Sequence, residues 1–234
     1  MRVVQVVILA GGKNAFLPRG LHPTYRTRAA TAALAVTSRN NIWVVTDGAE
    51  TNFQNVRAGK NVGASLIQGL AKCKKHEPVM VIGADLPHIT GEALQAFIDE
   101  ARRNDDLKTN RESKSDIFVG YSLMSDCQAL GHTSNHAVRI NGTADAKLAS
   151  VHILGPKALS QNSRILGLLK SRKNVPLMAF QLLGIRWLCR MAFHRPLYVA
   201  QAEADVKKRT GLVITGVQVP AELAVDDDTK EKPK

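Results

Sequence analysis

Apolar and polar positions along this chain fall into blocks whose period changes. Val3 to Ala10 is an unbroken apolar run of strand length, Ile42 to Thr46 is a second, and Val79 to Ile89 is a third that stops at Asp85 and Pro87. Such runs, bounded by turn residues, predict buried parallel strands. Between them the apolar spacing lengthens. Arg26 to Ser38 carries Ala30, Ala33 and Leu34, and Val62, Leu66 and Leu70 recur every fourth position behind Asn61. This pattern predicts two helices, the second with Asn61 as its N-cap. Thr90 predicts the cap of a third, whose apolar face is Leu94, Phe97, Ile98 and Ala101. Glu92 falls in its first turn and Arg102 and Arg103 in its last, as the helix dipole favours.

Three strand and helix alternations imply right-handed parallel crossovers in a doubly wound sheet. Asn104 to Ser115 is almost wholly polar and reads as an exposed loop; Ile117 to Tyr121 reads as a strand. Ser122 to Gly142 holds few apolar residues and reads as irregular, with a short strand at Ala137 to Ile140 pairing with the sheet edge. Val151 to Leu154 is a strand ended by Gly155-Pro156, Arg164 to about Lys208 turns helical, and Val213 to Val219 is the last strand. The fold class predicted is α/β, a three-layer α/β/α domain with a mostly parallel sheet. It spans residues 1–228, with a helical C-terminal elaboration at about 160–210 and a charged tail at 229–234.

Composition narrows the function classes. A chain of 234 residues with 44% hydrophobic content buries a full core. A net charge of +12 favours anions, whether phosphate-bearing small molecules, nucleic acid or an acidic membrane. Cys73, Cys127 and Cys189 are far apart with no Cys-x-x-Cys pair, which argues against a disulfide framework or a zinc site and fits a reduced, cytoplasmic protein. Arg2 and the apolar run after it resemble a signal peptide only superficially, since the run leads into Gly11-Gly12-Lys13 without a small-residue cleavage pattern.

Candidate chemistry lies at strand ends. Asp85 follows a central strand, where an open α/β sheet forms its ligand crevice; its alternative role is to cap a turn. Leu9-Ala10-Gly11-Gly12-Lys13 follows the first strand, and the paired glycines let backbone N–H groups approach a phosphate or simply form a tight turn. The run is neither GxGxxG nor a Walker loop. Val225-Asp226-Asp227-Asp228-Thr229 is a solvated tail or one side of a cation site. If it meets Asp85, two carboxylates from different strands hold one Mg²⁺.

Leu-Ala-Gly-Gly after the first strand, Ala-Asp-Leu-Pro-His-Ile-Thr in the middle and Glu-Leu-Ala-Val-Asp-Asp-Asp-Thr at the end resemble the molybdenum cofactor guanylyltransferase-like (MobA-like) nucleotidyltransferases. Asn61-Val62-Gly63-Ala64-Ser65-Leu66 resembles that family's segment near the base, and the likeness spans nearly the whole chain. It implies a GT-A type, Rossmann-like nucleotide-diphospho-sugar transferase fold and a Mg²⁺-dependent transfer from a nucleoside triphosphate to a phosphorylated acceptor, releasing pyrophosphate. It assigns Asp85 to the metal, with Asp228, or second to it Asp226, as the other carboxylate. Leu9, Ala10, Gly11, Gly12 and Lys13 meet the nucleotide, and Asn61 and Ser65 lie near base or ribose. Relatives carry an arginine after the glycine pair, where this chain has Phe16, and a lysine in a Pro-Asn-Lys run, where it has Pro23-Thr24-Tyr25 followed by Arg26. Arg26, Arg28 or Arg19 replaces that charge, Arg26 being the choice for catalysis. The alternatives are a non-catalytic nucleotide-binding or regulatory protein of the same fold, and a basic module for nucleic acid or membrane.

Other features point less far. His132 and His136 stand at i, i+4 but without helical periodicity or a third ligand, and read as solvated loop histidines. The low aromatic content, 5%, argues against a nucleic-acid stacking platform. Leu177 to Phe193 contains Gln181, Arg186 and Arg190, too polar and short to cross a bilayer. Residues 177–195 form either a peripheral membrane contact or a helix packed on the sheet or on a second copy in a homo-oligomer.

Overall fold

A computed structural model describes residues 5–10, 22–47, 52–106, 115–132, 138–141, 144–161 and 198–226. Its strands are β1 (Gln5–Leu9), β2 (Ile42–Thr46), β3 (Gln54–Arg57), β4 (Val79–Gly83), β5 (Ile117–Leu123), β6 (Val138–Ile140), β7 (Ala144–Leu154) and β8 (Ile214–Gln218). The helices among the described residues are α1 (His22–Ala33), α2 (Val62–Leu70), α3 (Gly91–Asp106), α4 (Met124–Ala129), α5 (Pro156–Ser160) and α6 (Val199–Thr210). The sheet runs in the order β3-β2-β1-β4-β7-β5-β8, with β6 paired to β7.

Pairing is parallel for β1 with β2 and β4, for β2 with β3 and for β5 with β8. Strand β7 alone is reversed, antiparallel to β4, β5 and β6. A short connection can join only antiparallel neighbours, and β7 follows β6 after Asn141, whose φ of 50° places it in the left-handed region that asparagine tolerates. The fold is therefore α/β with a mostly parallel sheet covered on both faces. One core lies under α1, α3 and α4 and includes Ile8, Val44, Ile82, Phe97 and Val151; the other lies under α2 and includes Val7, Val45, Val81 and Leu66. Helix α2 sits very close: a Cβ on Gly69 would come within 2.5 Å of Val7 Cγ1, so only glycine permits the approach.

Several boundaries differ from the pattern-based expectation. Helix α1 begins at His22 and ends at Ala33, earlier at both ends than 26–38. Strand β3 had no signal, because it is an edge strand with Val56 as its one buried residue. Helix α3 continues to Asp106, its last turn held where Asn104 Nδ2 donates to the Glu100 carbonyl oxygen at 2.9 Å. Irregular structure was expected from Ser122 onward; β5 instead runs to Leu123 and α4 follows, short but amphipathic, with Met124 and Cys127 buried. The short strand is found at Val138–Ile140, paired with the interior strand β7 rather than at an edge. Strand β7 is eleven residues long, not four, since its first half alternates small and charged residues rather than running apolar. The helical expectation for Arg164 onward falls at 162–197 outside the described residues; α6 ends as glycine favours, with Gly211 at φ 73°. No helix among the described residues is long and apolar enough to cross a membrane.

Cys73 and Cys127 are both buried and free. Burial pushes the Cys73 thiol from 9.0 up to about 12. A raised native pKa means the folded chain keeps a proton that the unfolded chain releases. The stability linked to Cys73 is thus complete below the ordinary thiol pKa and is lost as pH climbs toward 12. At pH 8.5, alkylation of Cys73 by iodoacetamide, followed by peptide mass mapping, is expected to be about a hundredfold slower in native protein than in urea; equal rates would contradict the burial.

Candidate functional site

Four adjacent parallel strands, β3, β2, β1 and β4, finish together. Ala10 N donates to Val45 O at 2.9 Å, Ala84 N donates to Leu9 O at 3.1 Å and Ala58 N donates to Thr46 O at 3.0 Å. These bonds carry the ladder one residue past each strand and set Leu9, Ala10, Thr46 and the Ala84-Asp85 turn along one edge. That edge is the carboxyl end of the parallel sheet, where such sheets bind ligands. Asp85 is half-buried. A Cβ built on Gly83 would lie 2.7 Å from Asp85 Oδ1 and 3.2 Å from Ser150 Cβ, so the carboxylate folds back over a residue that must be small, beside β7.

Helix α1 carries Arg26 to the same edge. Its guanidinium donates to Thr46 Oγ1 at 2.8 Å, which fixes it over the end of β2. Arg28 lines an open cleft of about 740 Å³ between α1 and the start of α3, together with Thr31, Thr90 and Glu92. Gly11, Gly12, Lys13 and Arg19 lie outside the described residues, as does Asp228.

Asn61 is the cap of α2, its Oδ1 accepting from Ala64 N at 2.9 Å. Ser65 is fully buried and its Oγ accepts from Gly59 N at 3.0 Å. Both side chains expected near a base therefore shape the bend between β3 and α2, and Ser65 presents no surface to a ligand.

A second group of polar side chains sits nearby. The neighbour of β7 on one side changes from β4, paired at Val151–Leu154, to β6, paired at Ala144–Ala146. In that interval Lys147 points inward. Its Nζ donates to Asp226 Oδ1 at 2.6 Å and lies 3.0 Å from His132 Nε2. The ammonium thus engages one oxygen of Asp226, the second choice for the metal carboxylate, from within the protein. His132 is likewise not solvated but 3% exposed. Gly131, at φ 83°, turns the chain after α4, and His132 N then donates to Cys127 O at 3.1 Å, tucking the ring under. His136 falls outside the described residues. Lys147 was missed because single lysines usually face water. The signal was its parity: in a period-two strand it shares a face with buried Ala149, Val151 and Ile153. Burial raises the Cys127 thiol, while the Ser122 hydroxyl and Lys147 beside it pull the other way, so it is a buried thiol and not an activated nucleophile.

Among the described residues no group of three or more histidine, cysteine, aspartate or glutamate side chains assembles a metal cage. A hard oxygen donor such as Asp85 on an open rim does fit Mg²⁺, which binds through one or two carboxylates and completes its shell with water and phosphate oxygens.

The sequence profile of the MobA-like NTP transferase domain matches residues 6–140. The chain belongs to that family. The match runs from β1 to the end of β6 and so includes the edge that carries Ala10, Arg26 and Asp85. A structure described as a hypothetical transferase from Thermus thermophilus is 21% identical, with a TM-score of 0.70 and 97% of each chain covered. A CMP:2-keto-3-deoxy-manno-octonic acid synthetase complexed with CTP is 12% identical, with a TM-score of 0.54 over 92% of this chain and 89% of that one. The 4-diphosphocytidyl-2C-methyl-D-erythritol synthase of Anaerococcus prevotii is 10% identical, with a TM-score of 0.51 over 98% and 94%. At these identities the likeness is one of fold. A curated relative, the carbamate kinase of Trichomonas vaginalis, is 32% identical over 107 residues, 44% of this chain; the chain spans about a third of that protein's length, 33%.

Proposed function

We propose that this MobA-like protein transfers a nucleoside monophosphate from a nucleoside triphosphate to a phosphorylated acceptor and releases pyrophosphate, with Mg²⁺ bound at Asp85. The observation that carries the proposal is the convergence of Asp85, Arg26 and the Leu9-Ala10 backbone on one sheet edge within the stretch that matches the family. In the reaction a phosphate oxygen of the acceptor attacks the α-phosphorus. The new P–O bond forms as the bond to the β-phosphate bridging oxygen breaks, and that electron pair leaves with pyrophosphate.

Such chemistry depends on alignment and on countering negative charge. Asp85 anchors the metal, which when bound supplies positive charge to the phosphate oxygens. Asp228 is proposed as the second carboxylate. Arg26, held by Thr46, offers its positive charge to the triphosphate, and Gly11, Gly12 and Lys13, next in sequence after Ala10, are proposed to meet the phosphates. Asn61 acts by capping α2, which orders the segment leading to it.

The deciding measurement is thermal stability against ATP, GTP, CTP and UTP, each with and without Mg²⁺, followed by pyrophosphate release from any triphosphate that shifts the midpoint. A ligand at a hundred times its dissociation constant stabilises by about 2.7 kcal/mol, an easily read shift. A shift with turnover supports the transferase. A shift without turnover for a range of sugar and alcohol phosphates identifies a binding protein that keeps the fold, and no shift removes the nucleotide site. Gly83→Ala tests the geometry more finely. Its methyl displaces the Asp85 carboxylate, and the Mg²⁺-dependent shift is expected to fall by about half or more while the metal-free midpoint moves little, since the residue borders the rim.

A further inference from the structure

Asp85 divides the carboxyl edge of the sheet into two sides. Arg26, Thr46 and Ala10 lie at the ends of β1 and β2, on one side of β4; on the other side is β7, whose pairing with β4 stops at Val151. The proposed function puts the triphosphate on the first side, and the acceptor then enters over β7. Side chains of β7 alternate between the two sheet faces. Val151 and Ile153 belong to the core under α1 and α3, whereas Leu154 belongs to the core under α2. Ser150 lies on the face of Leu154, and on that face a Cβ on Gly83 would come within 2.7 Å of Asp85 Oδ1 and 3.2 Å of Ser150 Cβ. The next residue of the same face is Leu148, about 7 Å further along the strand.

Leu148 is 64% exposed, the most open of the large apolar side chains among the described residues. The others, Leu34, Val62 and Tyr198, stand at helix ends, where a single apolar group in water is ordinary. Leu148 stands instead within an interior strand: β5 pairs along one side of β7 as far as Ala146, and β4 and β6 share the other side. A leucine there is normally buried under a helix, and this one is open. Directly opposite it on β5 is Tyr121, half-buried, its Cε1 3.5 Å from where a Cβ on Gly216 would lie. Asp85, Ser150, Leu148 and Tyr121 thus make a floor that is ionic at one end and apolar beyond it. Small-molecule sites have this composition, mostly apolar surface with a few polar groups that fix orientation. An apolar body gains by covering Leu148, whereas one hydroxylated all round gives up water there without a partner for its hydroxyls.

We infer that Leu148 is a specificity-determining residue on the acceptor side of the site, and that the acceptor is a phosphate monoester whose body presents an apolar face to β7. This rests on the proposed transferase reading. The phosphate of the acceptor lies toward Asp85 and its metal, and the apolar face lies over Leu148.

The test is calorimetric titration of the full chain, held with Mg²⁺ and the α,β-methylene analogue of the triphosphate that shifts the wild type, so that nothing turns over. The probes are phenyl phosphate and inositol monophosphate, alike in ring size and charge but apolar in one case and hydroxylated all round in the other. Wild type is expected to bind phenyl phosphate about fivefold or more tighter, the scale on which covering part of a leucine acts. Leu148→Thr suits a strand and removes most of the apolar surface. It is expected to melt within a few degrees of wild type, since the side chain is mostly exposed, and to lose the preference for phenyl phosphate, while Leu148→Met keeps it. The inference is overturned, with the transferase reading intact, if wild type binds the two probes equally or binds neither, or if Leu148→Thr keeps the preference. If no triphosphate shifts the wild type, both are overturned.

Discussion

Asp85→Ala is expected to abolish the Mg²⁺-dependent part of nucleotide binding and to cut turnover by about a thousandfold or more, the scale on which removal of a metal's anchor or a main charge-stabilising group acts. The structural reason is position. Asp85 stands two residues past β4, between the end of β1, which accepts from Ala84, and Ser150 of β7. Loss of the side chain should cost little fold stability, since the carboxylate is half-buried at a rim and the turn is fixed by the Ala84 main-chain bond. Stability and binding are therefore separable: the metal-free melting midpoint should match wild type while the Mg²⁺-dependent shift vanishes. Asp85→Asn keeps the shape and one oxygen donor without the charge, and should fall between the two. A variant that keeps full Mg²⁺-dependent affinity would remove Asp85 from the metal and return it to turn-capping.

The edge that holds Asp85 was legible because burial on both sides writes itself into sequence. β1, β2 and β4 are interior strands, and each is an apolar run with an abrupt polar stop. Helices α2 and α3 announced themselves by spacing and by Asn61 and Thr90, whose side chains accept from Ala64 N and Ala93 N as N-caps do. What escaped was written in weaker signals. β3 lies at an edge with one apolar contact to give. The first half of β7 carries Asp145 and Lys147, and its apolar positions are too few to mark a strand, although Lys147 falls in phase with buried Ala149, Val151 and Ile153. His132 reads as solvated because its burial depends on a glycine turn and on a lysine fifteen residues later. Pairings between distant polar residues leave no period in the chain, and Lys147 with Asp226, separated by 79 positions, is of that kind.

Arg26 carries the second large effect. No lysine lies between Lys13 and Arg26 in the sequence, so under the proposed function the guanidinium supplies the charge that meets the triphosphate, and an arginine and a lysine are not equivalent phosphate ligands. An arginine has five N–H donors on a rigid plane. The contact to Thr46 Oγ1 at 2.8 Å orients the plane at the end of β2. Removal of both the charge and the donors in Arg26→Ala is expected to weaken triphosphate binding by about 10- to 100-fold, equivalent to about 1.4 to 2.7 kcal/mol. Arg26→Lys should recover only part of this, because a lysine that reaches Thr46 spends its reach there. Thr46→Val separates orientation from charge: the guanidinium remains but loses its tether, and a loss of a few-fold is expected. The same titrations against wild type read all three. A different outcome is equally informative. If Arg26→Ala melts several degrees lower but binds triphosphate as tightly as wild type, the arginine only ties α1 to the end of β2, and the cation facing the triphosphate must come from another residue, with Lys13, Arg19 and Arg28 the next to test.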